Sequence, residues 1–208
     1  MQDIQPRKGS DTRERILAVA EAAILEKGFA STSIEELIAA VGITKSGFFY
    51  HFKDKSDLAK ALMHRYIEHN DTVLTDIFAR ADALNEDPLH GFFVALKLFA
   101  EMLTDLPDAH PGCLVASYCY QDQLFNRDVR ELTAQGVRGW RKLFRERIER
   151  IAERYPPKIE VDLDALGDMA NTLVDGGIIL TKVLKERDAL PRQIMLYREF
   201  VRAVFLGA

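Results

Sequence analysis

The sequence predicts an all-helical protein, and three observations lead there. Apolar residues recur at three-four spacing through most of the 208 residues, and no segment shows the period of two that a half-buried strand requires. Ser, Thr or Asp stands just before these stretches and glycine or proline just after several of them, as helix starts and stops demand. Hydrophobic residues make up 48% of the chain, which excludes disorder. No apolar run approaches the roughly 20 residues of a membrane span.

The elements follow in order. A first helix is expected from Asp11 as N-cap, with Glu14 three residues on closing a capping box. Ile16, Leu17, Ala20, Ile24 and Leu25 give its apolar stripe, and Gly28 fits the left-handed position that ends it. A second helix starts at Thr32 or Ser33, each followed three residues later by Glu35 or Glu36. It carries Ile34, Leu37, Ile38 and Val41, and Gly42 stops it. Only Ile43 separates that glycine from Thr44, the cap of a short third helix reaching about His51 or Phe52. Asp54 caps a fourth helix, with Asp57 at its third position, and the pattern runs past residue 80.

Residues 84–88 are a break, a helix over 89–105 follows, and Pro107 and Pro111 bracket a loop. An apolar segment at 113–120 precedes a long helix over about 126–154, which Tyr155-Pro156-Pro157 ends. Helices over about 163–186 and 192–206 close the chain, for roughly nine in all.

Charge divides by region. The chain holds 28 Lys and Arg against 32 Asp and Glu, a net charge of −4, with a pI near 5.8. Such a balance at first disfavours a nucleic-acid partner. Yet residues 44–65 carry Lys45, Lys53, Lys55, Lys60 and Arg65 against only Asp54 and Asp57, so the acidity belongs to the C-terminal body. The opening residues, Met-Gln-Asp-Ile-Gln-Pro-Arg-Lys, have no apolar stretch behind their charges, so no secretory signal is expected. Cys113 and Cys119 match neither a zinc spacing nor a disulfide framework, and a reduced cytoplasmic setting is expected.

The informative stretch is 32–55, TSIEELIAAVGITKSGFFYHFKDK. Two short helices joined by a tight glycine-containing turn form a helix-turn-helix, whose second helix enters the major groove of DNA. Ile34, Leu37, Ile38, Phe48 and Phe52 are expected as the small core that sets the helix pair. Thr44, Lys45, Ser46 and Gly47 form a first turn suited to an anionic backbone. Phe48 and Phe52 share one face, so Phe49, Tyr50 and His51 cannot all be buried with them. Those three then stand where phosphates or thymine methyls are reached, and Lys55 offers a further cation.

At this point residues 12–70 resemble the DNA-binding domain of tetracycline-repressor-like (TetR) regulators. The matching features are Ile16…Ala20…Gly28-Phe29, Ser33-Ile34-Glu35-Glu36-Leu37 and, above all, the run from Gly42 through Tyr50-His51-Phe52 to Lys55-Ser56-Asp57-Leu58. The resemblance implies that Lys45, Ser46, Gly47 and Phe49 lie over base edges, while Ser33, Thr44, Tyr50, His51 and Lys55 hold phosphates. Gly47 stands where members often have Thr or Ser, and Phe49 where many have Tyr. It further implies a DNA-binding domain over 10–56, with helix 4 from about 54 linking to an effector-binding and dimerisation domain over 57–208.

The implied protein is a cytoplasmic, ligand-responsive homodimeric repressor. It binds a palindromic double-stranded operator, dimerises through its last two helices, and releases DNA when a small molecule binds. No cofactor, no metal, no membrane partner and no catalytic residue are expected. Phe93, Tyr118 and Trp140 are candidate pocket-lining residues, and the two cysteines are expected as small core residues.

Other readings remain beside this one. An all-helical enzyme would use His64, His110 or Cys113, though no nucleophile–base–orienter set or phosphate loop accompanies them. An activator would carry the same headpiece. His64 and His69 point roughly 140° apart on a helix and no third ligand is placed beside them, which disfavours a metal site. Arginines of the long helix interleave with glutamates as Lys142–Glu146, Arg145–Glu149 and Glu146–Arg150, the pattern of a solvated face rather than a second DNA site.

Overall fold

The structure, a computed structural model, describes residues 8–207. Residues 1–7, over which no secretory signal is expected, lie outside the described residues. Among those described the architecture is all-helical: α1 (Lys8–Lys27), α2 (Ile34–Val41), α3 (Lys45–His51), α4 (Lys55–Leu84), α5 (Pro88–Thr104), α6 (Leu114–Cys119), α7 (Arg127–Arg154), α8 (Leu163–Leu184) and α9 (Ala189–Leu206). A 3₁₀ turn at Asp122–Leu124 joins α6 to α7.

Most boundaries sit where local chemistry puts them. Asp54 and Asp57 cap α4 reciprocally: the Asp54 carboxylate accepts the Asp57 N–H at 2.8 Å, and the Asp57 carboxylate accepts the Lys53 N–H at 3.1 Å. Pro88 opens α5 at a position whose N–H has no helical acceptor. Two starts differ from expectation. α1 already begins at Lys8, so Asp11 lies inside its first turn and is not the N-cap. There its charge complements the exposed N–H groups of the helix end, while Glu14 turns outward to Arg13 and Arg65. α9 begins three residues before the expected 192 because Ala189, Leu190 and Pro191 are buried there. The buried Thr181 hydroxyl accepts the Leu190 N–H at 3.3 Å, supplying the cap that Asp188 does not.

The chain divides into two compact units. The first runs up to Glu68 and also takes in 113–135, which adds α6 and the start of α7 to the helix-turn-helix and its neighbours. Its core joins Ile16, Leu17, Ile24, Phe29, Leu37, Phe48, Phe52, Leu58 and Leu62 to Leu114, Tyr118, Phe125 and Val129. The second runs from His69 to Gly112 and from Gly136 through α9. Phe92 lies at its centre, with ring centroids of Phe78, Phe144 and Tyr197 at 6.1, 6.2 and 6.2 Å. The buried Tyr197 hydroxyl donates to the Leu166 carbonyl at 2.8 Å. Burying aromatic rings of this size is the main favourable contribution available to a helical core.

On α7 two expected ion pairs form, Lys142–Glu146 at 3.8 Å and Arg145–Glu149 at 2.9 Å. Arg141 grips Asp168 with two bonds of 2.7 and 2.6 Å, and Arg147 reaches Asp82 at 2.6 Å. Arg141, Lys142, Arg145 and Arg147 are thus balanced by nearby acids, as a solvated helix face requires.

Candidate nucleic-acid interface

α2 and α3 are fixed at their ends by their own residues. Ser33 is extended and its hydroxyl accepts the Glu36 N–H at 3.1 Å. Gly42 adopts the left-handed conformation (φ 72°, ψ 41°), from which its N–H reaches the carbonyls of Ile38 and Ala39. That conformation strains any residue with a Cβ. The Arg15 guanidinium donates to the Val41 carbonyl at 2.7 Å and satisfies another acceptor of the same helix end. Thr44 then caps α3: its hydroxyl accepts the Gly47 N–H at 3.1 Å and lies 3.0 Å from the Ser46 hydroxyl.

This bracing sorts the aromatic residues of α3 by face. Phe48 and Phe52 are buried, and Ile34 and Ile38 pack half-buried beside them. Phe49 keeps 42% of its surface exposed and Tyr50 keeps 83%. Lys45 and Ser46 are exposed, and Gly47 and His51 are half-buried. Phe49 stands edge-on to Phe48 at 5.4 Å, and Tyr50 edge-on to His51 at 5.0 Å. α3 therefore presents Lys45, Ser46, Phe49 and Tyr50 along one face.

Ser33 and Thr44, exposed beside this face, spend their oxygen lone pairs on capping. A capping hydroxyl keeps its proton for donation to an external acceptor. Lys55 is held differently from a free cation. Its ammonium donates to the Phe29 carbonyl at 2.6 Å and lies 4.3 Å from the Phe29 ring centroid. Burial lowers its pKa. The bend after α1 leaves carbonyls without helical partners, and a lysine at the start of α4 is long enough to reach them.

The 28–32 bend is also gripped by residues that the sequence reading did not single out. Gln121 accepts the Ala30 N–H at 3.1 Å, and its amide nitrogen lies 2.8 Å from where a Cβ on Gly28 would stand. Phe125 lies 4.6 Å from the Phe29 ring. The apolar character of 113–120 was the available signal, but nothing in it named the partner.

The three candidate ligand residues are not brought together. Tyr118 belongs to the first unit's core: it stacks on Phe125 at 4.2 Å, and its hydroxyl donates to the Ala59 carbonyl at 3.1 Å. Burial pushes its phenol pKa far up, as expected of a fully committed core tyrosine. Phe93 is buried on α5, with the guanidinium groups of Arg198 and Arg202 at 5.2 and 4.9 Å from its centroid. Trp140 lines a cavity of about 170 Å³ between α7 and α8, with Phe144, Arg141, Asp168, Asn171 and Thr172. That volume is below the roughly 300 Å³ where ligand pockets begin. The cysteines also differ from expectation: the Cys113 thiol caps α6 by accepting the Ala116 N–H at 3.4 Å, and Cys119 is exposed rather than core.

Comparison with known proteins bears on the same region. The family model described as bacterial regulatory proteins, tetR family, matches residues 16–62, which span α2, α3 and most of their bracing. The HTH-type transcriptional repressor NemR of Escherichia coli is 24% identical over 146 residues, covering 70% of this chain and 71% of that protein. A TetR transcriptional regulator from Chloroflexus aurantiacus is 26% identical, with a TM-score of 0.75 over 94% of this chain and 96% of that one. A TetR-family regulator from Agrobacterium tumefaciens, at 18% identity, shares the fold with a TM-score of 0.77 over 95% of this chain and 100% of that one. With its helix-turn-helix built and faced as described, residues 16–62 carry the domain that the tetR family of bacterial regulatory proteins shares, and the whole chain is similar in fold to such regulators.

Proposed function

We propose that the protein is a homodimeric transcriptional repressor that acts in the cytoplasm, binds a palindromic operator and releases it when a small molecule binds. The observation that carries this reading is the outward face of α3, with Lys45, Ser46, Phe49 and Tyr50 presented while Phe48 and Phe52 anchor the helix. Lys45, Ser46, Gly47 and Phe49 meet base edges. Ser33, Thr44, Tyr50 and His51 donate to phosphates on either side, and Lys55, tied to the 28–32 bend, adds its charge at the margin. The relatives named above are regulators, which supports this reading over an enzyme.

Two-fold symmetry supplies the second half-site about one helical turn away, roughly 34–36 Å. The exposed apolar residues Ile179, Leu180 and Val183 of α8 and Leu196 and Phe200 of α9 support dimerisation through the last two helices. The first compact unit then reads DNA, and the second dimerises and holds the effector. To move the operator from nearly full to nearly empty, the effector must prefer the non-binding state by about 5.5 kcal/mol.

Selection of bound fragments from genomic DNA, followed by gel shift with Tyr50→Ala and Lys45→Ala, tests the DNA reading. Tyr50 and Lys45 are exposed, so both variants should fold and dimerise as wild type while operator binding weakens at least tenfold. Retention of full affinity by both variants would refute the assignment of this face.

A further inference from the structure

Within the DNA-binding reading, on which this inference rests, we propose that Phe49 reads the C5-methyl group of a thymine and Lys45 a guanine one or two base pairs away in the same half-site. The exposed side chains of α3 fall into two rows of residues four apart, Lys45 with Phe49 and Ser46 with Tyr50. Phe49 is the unusual member. Its ring is 42% exposed although it carries no polar atom, and the fully buried Phe48 holds it edge-on at 5.4 Å. The ring thus rests against Phe48 on one side and leaves apolar surface exposed.

A phenylalanine has nothing to give a phosphate oxygen, a purine N7 or an exocyclic amine. Among the groups displayed in the major groove, only the thymine methyl is apolar. Covering it removes both the ring edge and the methyl from water, a gain that no other base offers this side chain. Lys45 shares the row and therefore the groove. Its ammonium is largely exposed, with a loose 3.9 Å pairing to Glu35, and can donate to guanine O6 and N7. One helical turn between the two residues is about 5.4 Å, and stacked base pairs are about 3.4 Å apart. The two bases read are accordingly one or two steps apart. The second row, Ser46 and Tyr50, carries the hydroxyls: Ser46, in the first turn, stays over the base edges, and Tyr50 lies toward the backbone.

The test uses the operator recovered from genomic fragments, remade with uracil for each thymine in turn and with 7-deazaguanine for each guanine. Uracil deletes only the methyl, and 7-deazaguanine only the N7 acceptor. Wild-type binding should weaken about fourfold at one thymine of each half-site and about fifteenfold when both are replaced, as loss of one buried methyl implies. Phe49→Ala should bind the thymine duplex more weakly and no longer distinguish uracil. Phe49→Leu, apolar but not aromatic, should keep part of the discrimination. Sensitivity to 7-deazaguanine one or two steps away should disappear in Lys45→Met. Equal wild-type affinity for every uracil duplex, or undiminished discrimination by Phe49→Ala, would overturn the thymine assignment while leaving the repressor reading intact. Failure to recover any bound fragment would instead bring down the DNA-binding reading and this inference with it.

Discussion

Asp87 opens α5, accepting the Leu89 and His90 N–H groups at 3.1 and 3.0 Å, the Tyr155 hydroxyl at 2.7 Å and the Arg154 guanidinium at 3.2 Å. Partial burial alone would raise its pKa, but these donors together hold the carboxyl well below the usual carboxylate range. A carboxyl depressed in the folded state stabilises at pH above its unfolded value, and that contribution is lost as pH falls toward the folded value. Asp87→Asn should therefore cost about 1–2 kcal/mol at pH 7. The difference from wild type should shrink as pH drops below about 4. Urea unfolding of both proteins across that range checks it, and a difference independent of pH would refute the account. Lys55 makes a different case. Lys55→Met removes the ammonium from the Phe29 carbonyl and should lower the first unit's stability by about 1 kcal/mol, the usual worth of such a hydrogen bond. A melting temperature unchanged by the substitution would return Lys55 to the role of a free phosphate cation.

The two adjacent glycines of α8 show what an element adds to its residues. A Cβ on Gly177 would stand 2.7 Å from Leu190 Cδ1 and 2.9 Å from Leu190 Cα, so α9 crosses α8 closely at that point within one chain. A Cβ on Gly176, which is half-buried, would meet nothing within 4 Å. Gly177→Ala should destabilise the fold by about 1–3 kcal/mol through overpacking, as read by thermal unfolding. Gly176→Ala should leave the fold of the protomer intact, because only open space and a helix propensity gain await it. If α8 packs against a second copy along this face, the same change weakens self-association in sedimentation. The sequence displayed the glycine pair but not which neighbour each approaches, because helical spacing reports a face and not what covers it. α3 was legible for the opposite reason: Gly42, Thr44 and the Phe48–Phe52 pair are local instructions. The start of α9 differs from expectation because burial and a distant hydroxyl outweigh the local cap signal. The grip of Gln121 and Phe125 on the 28–32 bend joins residues about ninety positions apart, which no local pattern encodes.

At the scale of the molecule, DNA recognition by one short helix is weak until it is doubled. α3 has seven residues and presents only a few side chains, so one half-site offers a small contact. Linking two such contacts makes the second effectively intramolecular and raises affinity by about 10² to 10⁴. The charge division points the same way: cations concentrated in residues 44–65 and a net −4 overall limit indiscriminate attraction to DNA, leaving occupancy dependent on two docked helices. Ile179→Asp with Phe200→Asp places two charges on the exposed apolar faces of α8 and α9, outside either unit's core. The protomer should remain helical while the dimer dissociates in sedimentation velocity. Affinity for the full palindrome should fall at least a hundredfold, and affinity for an isolated half-site should stay the same, because α3 and its bracing are untouched. A parallel loss on the half-site would mean that the substitutions damaged the reading head rather than the pairing. An intact dimer would mean that these apolar faces are not what joins the subunits.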